Sequence, residues 1–233
     1  MFQIYFAVNF FMIYLLEITI KIKKKMKKII LSAVAVLAFG FTNAQEVKFG
    51  AKAALNVASL TGDVEGVSSL IGFQIGGFAE IKLSEKFAFQ PELMYSAQGG
   101  KSSVSEDFGD GDSFKDEDEF KFSYLNIPLM AKYYVAKSFS LEAGPQIGFL
   151  LSAKDEWTSS ETFEGETDSV SGSEDIKEFT NSVDFGINFG AGYDFTEKLS
   201  AGLRYNLGLS NINKEGDDST KNGVFSVSVG YKF

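Results

Sequence analysis

The last nine residues of the chain alternate without exception. Phe225, Val227, Val229, Tyr231 and Phe233 fall on one parity, and Ser226, Ser228, Gly230 and Lys232 on the other. A period of two puts successive side chains on opposite faces of a β-strand, which a helix cannot do. The pattern recurs upstream. Leu203, Tyr205, Leu207 and Leu209 alternate with Gly202, Arg204, Asn206 and Gly208, and the odd positions of 183–193 alternate with Asp184, Gly186, Asn188, Gly190 and Gly192. Phe139 to Phe149, Phe87 to Tyr95, Ile71 to Ile81 and, more weakly, Val47 to Leu55 read the same way. An eighth segment, from about Phe120 to Tyr134, changes phase near Tyr124 and Leu125, which predicts a β-bulge there.

The connections alternate in length. Short turns are expected at Leu83–Lys86, Ala136–Ser138 and Thr196–Lys198, and long polar loops at Ser59–Ser69, Gly99–Glu119, Ser152–Glu178 and Asn211–Asn222. Eight strands with three short turns and four long loops predict an all-β, antiparallel, up-and-down transmembrane barrel with both termini on the short-turn, periplasmic side. A soluble lipocalin-type barrel has the same strand count but turns its apolar face inward. The non-apolar face decides between them. It is rich in Gly, Ser, Asn and Gln with ionisable groups inserted singly, which suits a narrow lumen better than a solvated exterior. Aromatics gather at the strand ends, as interfacial girdles do: Phe87, Tyr133, Phe139, Tyr193, Phe195 and Phe233 near the turns, Tyr95, Phe122, Phe149 and Phe225 near the loops.

Residues 26–44, MKKIILSAVAVLAFGFTNA, have the basic start, apolar run and small terminal residues of a secretory signal peptide cleaved after Ala44. Residues 1–25 read as an upstream mis-start or extra leader, and 45–233 as the barrel domain. A net charge of −9 excludes a nucleic-acid partner that needs clustered Lys and Arg. With no cysteine and no histidine the chain lacks thiol nucleophiles, imidazole bases and the usual zinc ligands, so neither a catalytic site nor a cofactor is expected.

Lys48, Lys52, Lys82, Lys132, Arg204 and Lys232 are expected to face inward with Glu80, Glu92, Glu142, Asp184 and Asp194. Eight strands leave room for side chains or one small ligand, so these charges read as a network filling the lumen (Lys52, Glu80, Glu92, Lys132, Glu142, Asp184 and Arg204 its centre) rather than as an ion pathway. The loops hold most of the acids. Asp107, Asp110, Asp112, Asp116 and Asp118 are closely spaced oxygen donors that offer a weak calcium site, off the EF-hand spacing and without its terminal Glu. Solvated acidic loops without a packed core are the commoner outcome of such composition. Trp157, with Phe163, is a candidate loop anchor or membrane-edge residue.

All three prolines, Pro91, Pro128 and Pro145, fall in strand-like segments, where each removes a ladder donor and needs a bulge or strand end. The same segments carry a family resemblance. GAKAALN ending at Asn56, GFQIGGFAEIKLSEKFAFQPELMYS from Gly72, YLNIPLMAKYY from Tyr124 and AGPQIGFLL from Ala143 resemble the PorT-like outer-membrane β-barrel family of Bacteroidetes across nearly the whole mature chain. The resemblance implies an eight-stranded barrel in outer-membrane lipid, inserted by the barrel-assembly machinery, with the C-terminal aromatics Tyr231 and Phe233 as the assembly signal. The functional expectation is a structural or interaction protein. Alternatives are a small-solute transporter or ligand-binding barrel, or an accessory subunit of a protein-secretion system.

Overall fold

The computed structural model describes residues 46–64, 66–109, 111–216 and 219–233. The expected leader lies outside them, as does Asp110 of the candidate calcium set. Nine strands run in chain order: β1 (Val47–Gly62), β2 (Val67–Lys82), β3 (Phe87–Gly109), β4 (Asp112–Tyr134), β5 (Phe139–Phe163), β6 (Glu166–Asp175), β7 (Val183–Asp194), β8 (Leu199–Gly208) and β9 (Thr220–Lys232). One turn of 3₁₀ helix, Lys177–Phe179, is the only helix among the described residues.

All strand pairings are antiparallel and join chain neighbours, except that β7 pairs with β5 and β9 returns to β1, so β1–β5 and β7–β9 close a ring of eight. β6 is the ninth strand. It pairs with the far half of β5, Lys154–Phe163, while β7 pairs with the near half, Phe139–Phe149. The three short turns fall where expected, and Glu46 and Phe233 lie at that same end, tied to Lys82 and Phe49 by backbone hydrogen bonds.

Period-two alternation sets the two faces. On β9, Phe225, Val227, Val229 and Tyr231 point out and are exposed, while Ser226, Gly230 and Lys232 are buried. The same holds around the ring, with Leu55, Ile71, Leu93, Leu141, Phe189 and Leu203 outside. A continuous apolar exterior on a closed barrel matches a lipid surround, since soluble monomers rarely expose apolar patches beyond a few hundred Å². At the turn end the outer rings pair as a girdle: Phe87 with Tyr133 at 5.0 Å, Tyr193 with Phe195 at 5.1 Å and Tyr231 with Phe233 at 5.9 Å.

Two expectations require correction. The Gly99–Glu119 and Ser152–Glu178 segments are not irregular loops. β3 and β4 stay paired as far as Gly109 and Asp112, and β5 and β6 as far as Phe163 and Glu166, so a four-stranded sheet projects beyond the ring by roughly 35 Å at about 3.3 Å per residue. The β5–β6 turn has Glu164 at φ 51° and Gly165 at φ 83°, the two successive left-handed residues that match strand twist in a two-residue hairpin.

The second concerns the phase change at Tyr124. Even-numbered residues of β4 face inward without interruption from Phe122 to Tyr134. The irregularity lies opposite that point but belongs to β5: Ser123 pairs with Ser152 and Tyr124 with Leu150, leaving Leu151 as the extra residue. What changes at Tyr124 is the side on which hydrophobic residues stand. Phe120, Phe122 and Tyr124 fill the lumen, whereas Leu125 and Leu129 belong to the outside. Phe122 is accordingly buried in the lumen and takes no part in the outer girdle.

Candidate functional site

The lumen is layered along the barrel axis. At the turn end lie the charges. Arg204 on β8 donates to both oxygens of Glu92 on β3 at 2.8 and 2.9 Å and, through Nε and Nη2, to Glu142 on β5 at 2.9 and 2.7 Å. Lys52 on β1 adds a 2.6 Å contact to Glu92. Glu80 on β2 receives Lys132 at 2.9 Å, Lys232 at 3.0 Å and the Tyr134 hydroxyl at 3.0 Å, and Lys232 also reaches Asp194 at 3.2 Å. Gln90 joins the two clusters, donating to Glu92 at 2.7 Å and accepting from Lys132 at 3.2 Å. Four cations thus face four carboxylates. Bidentate guanidinium pairing and shared donors satisfy oxygens that would be costly to bury alone.

Above the charges comes an amide layer. Asn56, Gln74, Ser96 and Ser226 bond to one another at 2.8–3.2 Å, and Asn188 joins Gln146 to Asn206 at 3.2 Å. The void among these groups is about 10 Å³, space for a single water. Over it sits an apolar cap of Phe122, Tyr124, Leu150, Ala153 and Ile212, with Leu60, Phe120 and Ile176 against it.

The expected network is therefore partly reassigned. Lys52, Glu80, Glu92, Lys132, Glu142 and Arg204 come together, with Lys232 and Asp194. Asp184 does not join them. It lies by the cap, with Oδ2 accepting from Asn222 at 3.1 Å and Oδ1 unbonded. Lys48 and Lys82 sit at the rim, 3.1 and 3.7 Å from Glu46, a partner outside every alternating segment. Composition alone assigns Asn and Gln to the lumen face; isolated amides carry no motif that would reveal the layer they form.

In the projecting sheet, residues paired across strands share a face. One face continues the lumen: the rows Gly100–Phe120–Asp155–Glu174, Ser102–Asp118–Trp157–Gly172, Val104–Asp116–Ser159–Val170 and Glu106–Phe114–Glu161–Asp168. The outer face carries Lys101, Lys115, Lys121 and Lys154 among Asp107, Glu117, Glu119, Glu156 and Asp175. There Lys101 pairs with Glu119, Lys121 with Glu119 at 2.8 Å and Glu156 at 2.5 Å, and Lys115 with Glu117 at 2.8 Å. Hydrogen bonds from Lys101 and Lys121 hold Glu119 below the usual carboxylate range. The Trp157 ring lies over Gly172, where a Cβ would stand 2.5 Å from Cζ2.

The candidate calcium residues are strung along β3 and β4. Asp107 accepts from Gly109 N at 2.9 Å and Asp112 from Glu164 N at 2.9 Å, while Asp116 and Asp118 pair with Val104 and Ser102. Among the described residues no three acids converge on a common point.

Fold and lumen together define a small transmembrane β-barrel protein. Residues 43–214 match the model of the outer membrane protein beta-barrel domain, and the chain belongs to that family. Its fold is similar to that of Ail, the attachment invasion locus protein of Yersinia pestis solved with the heparin analogue sucrose octasulfate, at 12% identity over 81% of this chain and 99% of that one, TM-score 0.41. It is also similar to Neisserial surface protein A, at 16% identity over 81% and 99%, TM-score 0.39, and to CarO of Acinetobacter baumannii, at 14% identity over 78% and 97%, TM-score 0.37. No curated protein matches the sequence.

Proposed function

We propose that the protein is a non-catalytic, non-conducting interaction barrel of the bacterial outer membrane, with both termini in the periplasm and the β3–β6 sheet projecting into the medium. The observation that carries this reading is the layered lumen. Paired charges, bonded amides and an apolar cap follow one another along the axis, and the amide layer leaves about 10 Å³ free. A diffusion pathway needs a wetted path past each of these layers, and a dehydrated ion has no ligand set in the cap. The accessible chemistry is on the projecting sheet.

Phe233, 75% exposed beside Tyr231, is free to be read by the assembly machinery. The test is conductance of the purified barrel in planar bilayers, after gel mobility of unheated against boiled protein has established a closed barrel. Silence of a heat-modifiable protein is the expected result; stable unitary steps would replace this reading with that of a transporter.

A further inference from the structure

Neighbouring rows of the projecting sheet separate its charges by face. The outer face carries four lysines among five carboxylates and is stitched by their ion pairs. The lumen-side face carries seven carboxylates in its four rows and, among the described residues, no lysine or arginine. Asp116, Asp118, Asp155 and Glu174 surround the chain's single tryptophan, Trp157, which is 38% exposed. Uncompensated like charge held on a rigid sheet is unfavourable, and a protein whose other face pairs its carboxylates with lysine has the means to avoid it. Asp155 shows the consequence. Its Oδ1 is closed off from solvent with no hydrogen-bond donor, and burial, then Asp118 and Glu174, push its carboxyl above the ordinary value.

We propose that the lumen-side face of the β3–β6 sheet docks a basic polypeptide segment, with an Arg or Lys side chain seated on the Trp157 ring. The proposal rests on the reading of this sheet as the exposed, interacting part of the barrel. Charge complementarity selects the occupant. The carboxylates stand at strand spacing, about 5 Å across rows and 7 Å along a strand, and do not converge as a metal centre requires. That spacing suits cations repeated along an extended chain. Trp157 presents an aromatic face amid negative potential, the setting in which a guanidinium or ammonium gains from the ring quadrupole. Exposed Val104 and Val170, in the next row, add apolar area beside it.

The sole tryptophan makes the test direct. Full-length barrel in zwitterionic micelles is titrated with decaarginine, decalysine and decaglutamate while Trp157 emission is followed. The expected result is a saturable change with both cationic peptides and none with decaglutamate, weakening about tenfold or more as salt rises from 0.05 to 0.3 M. The variant D116N/D118N/D155N/E174Q loses the response, and the outer-face variant E117Q/E119Q/E156Q keeps it. Equal loss in both variants, or no saturable response, overturns the proposal. Displacement of the peptides by millimolar Ca²⁺ alone, with Ca²⁺ giving the same emission change, assigns the face to a divalent cation instead. Gel mobility is measured for every variant: a heat-modifiable protein that ignores the peptides sinks this inference only, whereas loss of heat modifiability in the unsubstituted protein sinks the barrel reading itself.

Discussion

At the scale of single residues, the charged layer at the turn end depends on each of its groups having a partner. Arg204 serves Glu92 and Glu142 together, so Arg204→Met strands two buried carboxylates. Removing one member of a buried pair costs about 3–5 kcal/mol. The expected outcome is a large fall in the urea midpoint of the folded barrel in vesicles, with Glu142→Gln in the Arg204→Met background recovering part of it. Asp155 sets a pH dependence of the projection. Its folded pKa lies above the ordinary value of 3.8, so the folded sheet holds the proton more tightly than the unfolded chain does. Stability from this group is complete below 3.8 and is lost as pH rises through the elevated folded value. Amide protection of β5 and β6 is expected to decline across that window, and Asp155→Asn to flatten the decline. The inward charges were legible in the sequence because each interrupts a face of small residues. Their partners were not, since distance around a barrel depends on stagger, which one-dimensional periodicity does not contain.

At the scale of strands, alternation located all eight ring strands and the three short turns, because burial of one face forces a period of two. It failed where both faces lose their contrast. Beyond the membrane band the projecting strands are polar on either side, and acidic composition reads as loop even though hairpin turns and cross-strand ion pairs make it a sheet. The upper half of β4 misled for the opposite reason, since its apolar residues lie on the lumen side as the cap. Leu151 is the extra residue that turns β5 from even-inward to odd-inward. Deleting it leaves a regular ladder, with Ser152 still opposite Ser123 and Ala153 opposite Phe122, so Trp157 keeps the lumen side and its emission is expected to stay unchanged. Deleting the paired Lys154 instead slips the strand above it by one residue and exchanges its faces. Trp157 emission is then expected to shift to the red as the ring leaves Gly172, and the β5–β6 hairpin to become susceptible to limited proteolysis.

At the scale of the whole molecule, the ring has no free edge, and yet three of its ladders are interrupted. Phe78↔Glu92 is followed by Ile81↔Phe89, Pro91↔Leu129 by Met94↔Asn126, and Pro128↔Gln146 by Ala131↔Ala143. Each gap spans two rungs, and each contains one of the prolines: Pro91 between β2 and β3, Pro128 between β3 and β4, Pro145 between β4 and β5. The donors lost to proline, which the sequence left unexplained at three separate places, are thus collected into one diagonal band through neighbouring strands. Hydrogen exchange in the folded barrel is expected to be fastest along this band. Its position gives it a further meaning. In a ring of eight, the β4–β5 seam stands opposite the β1–β9 seam where the ends of the barrel sheet meet. A wall softened on the side away from its own closure works as the hinge of a clasp: the sheet can splay and shut by flexing at the prolines, so that joining β9 to β1 need not strain the four uninterrupted ladders.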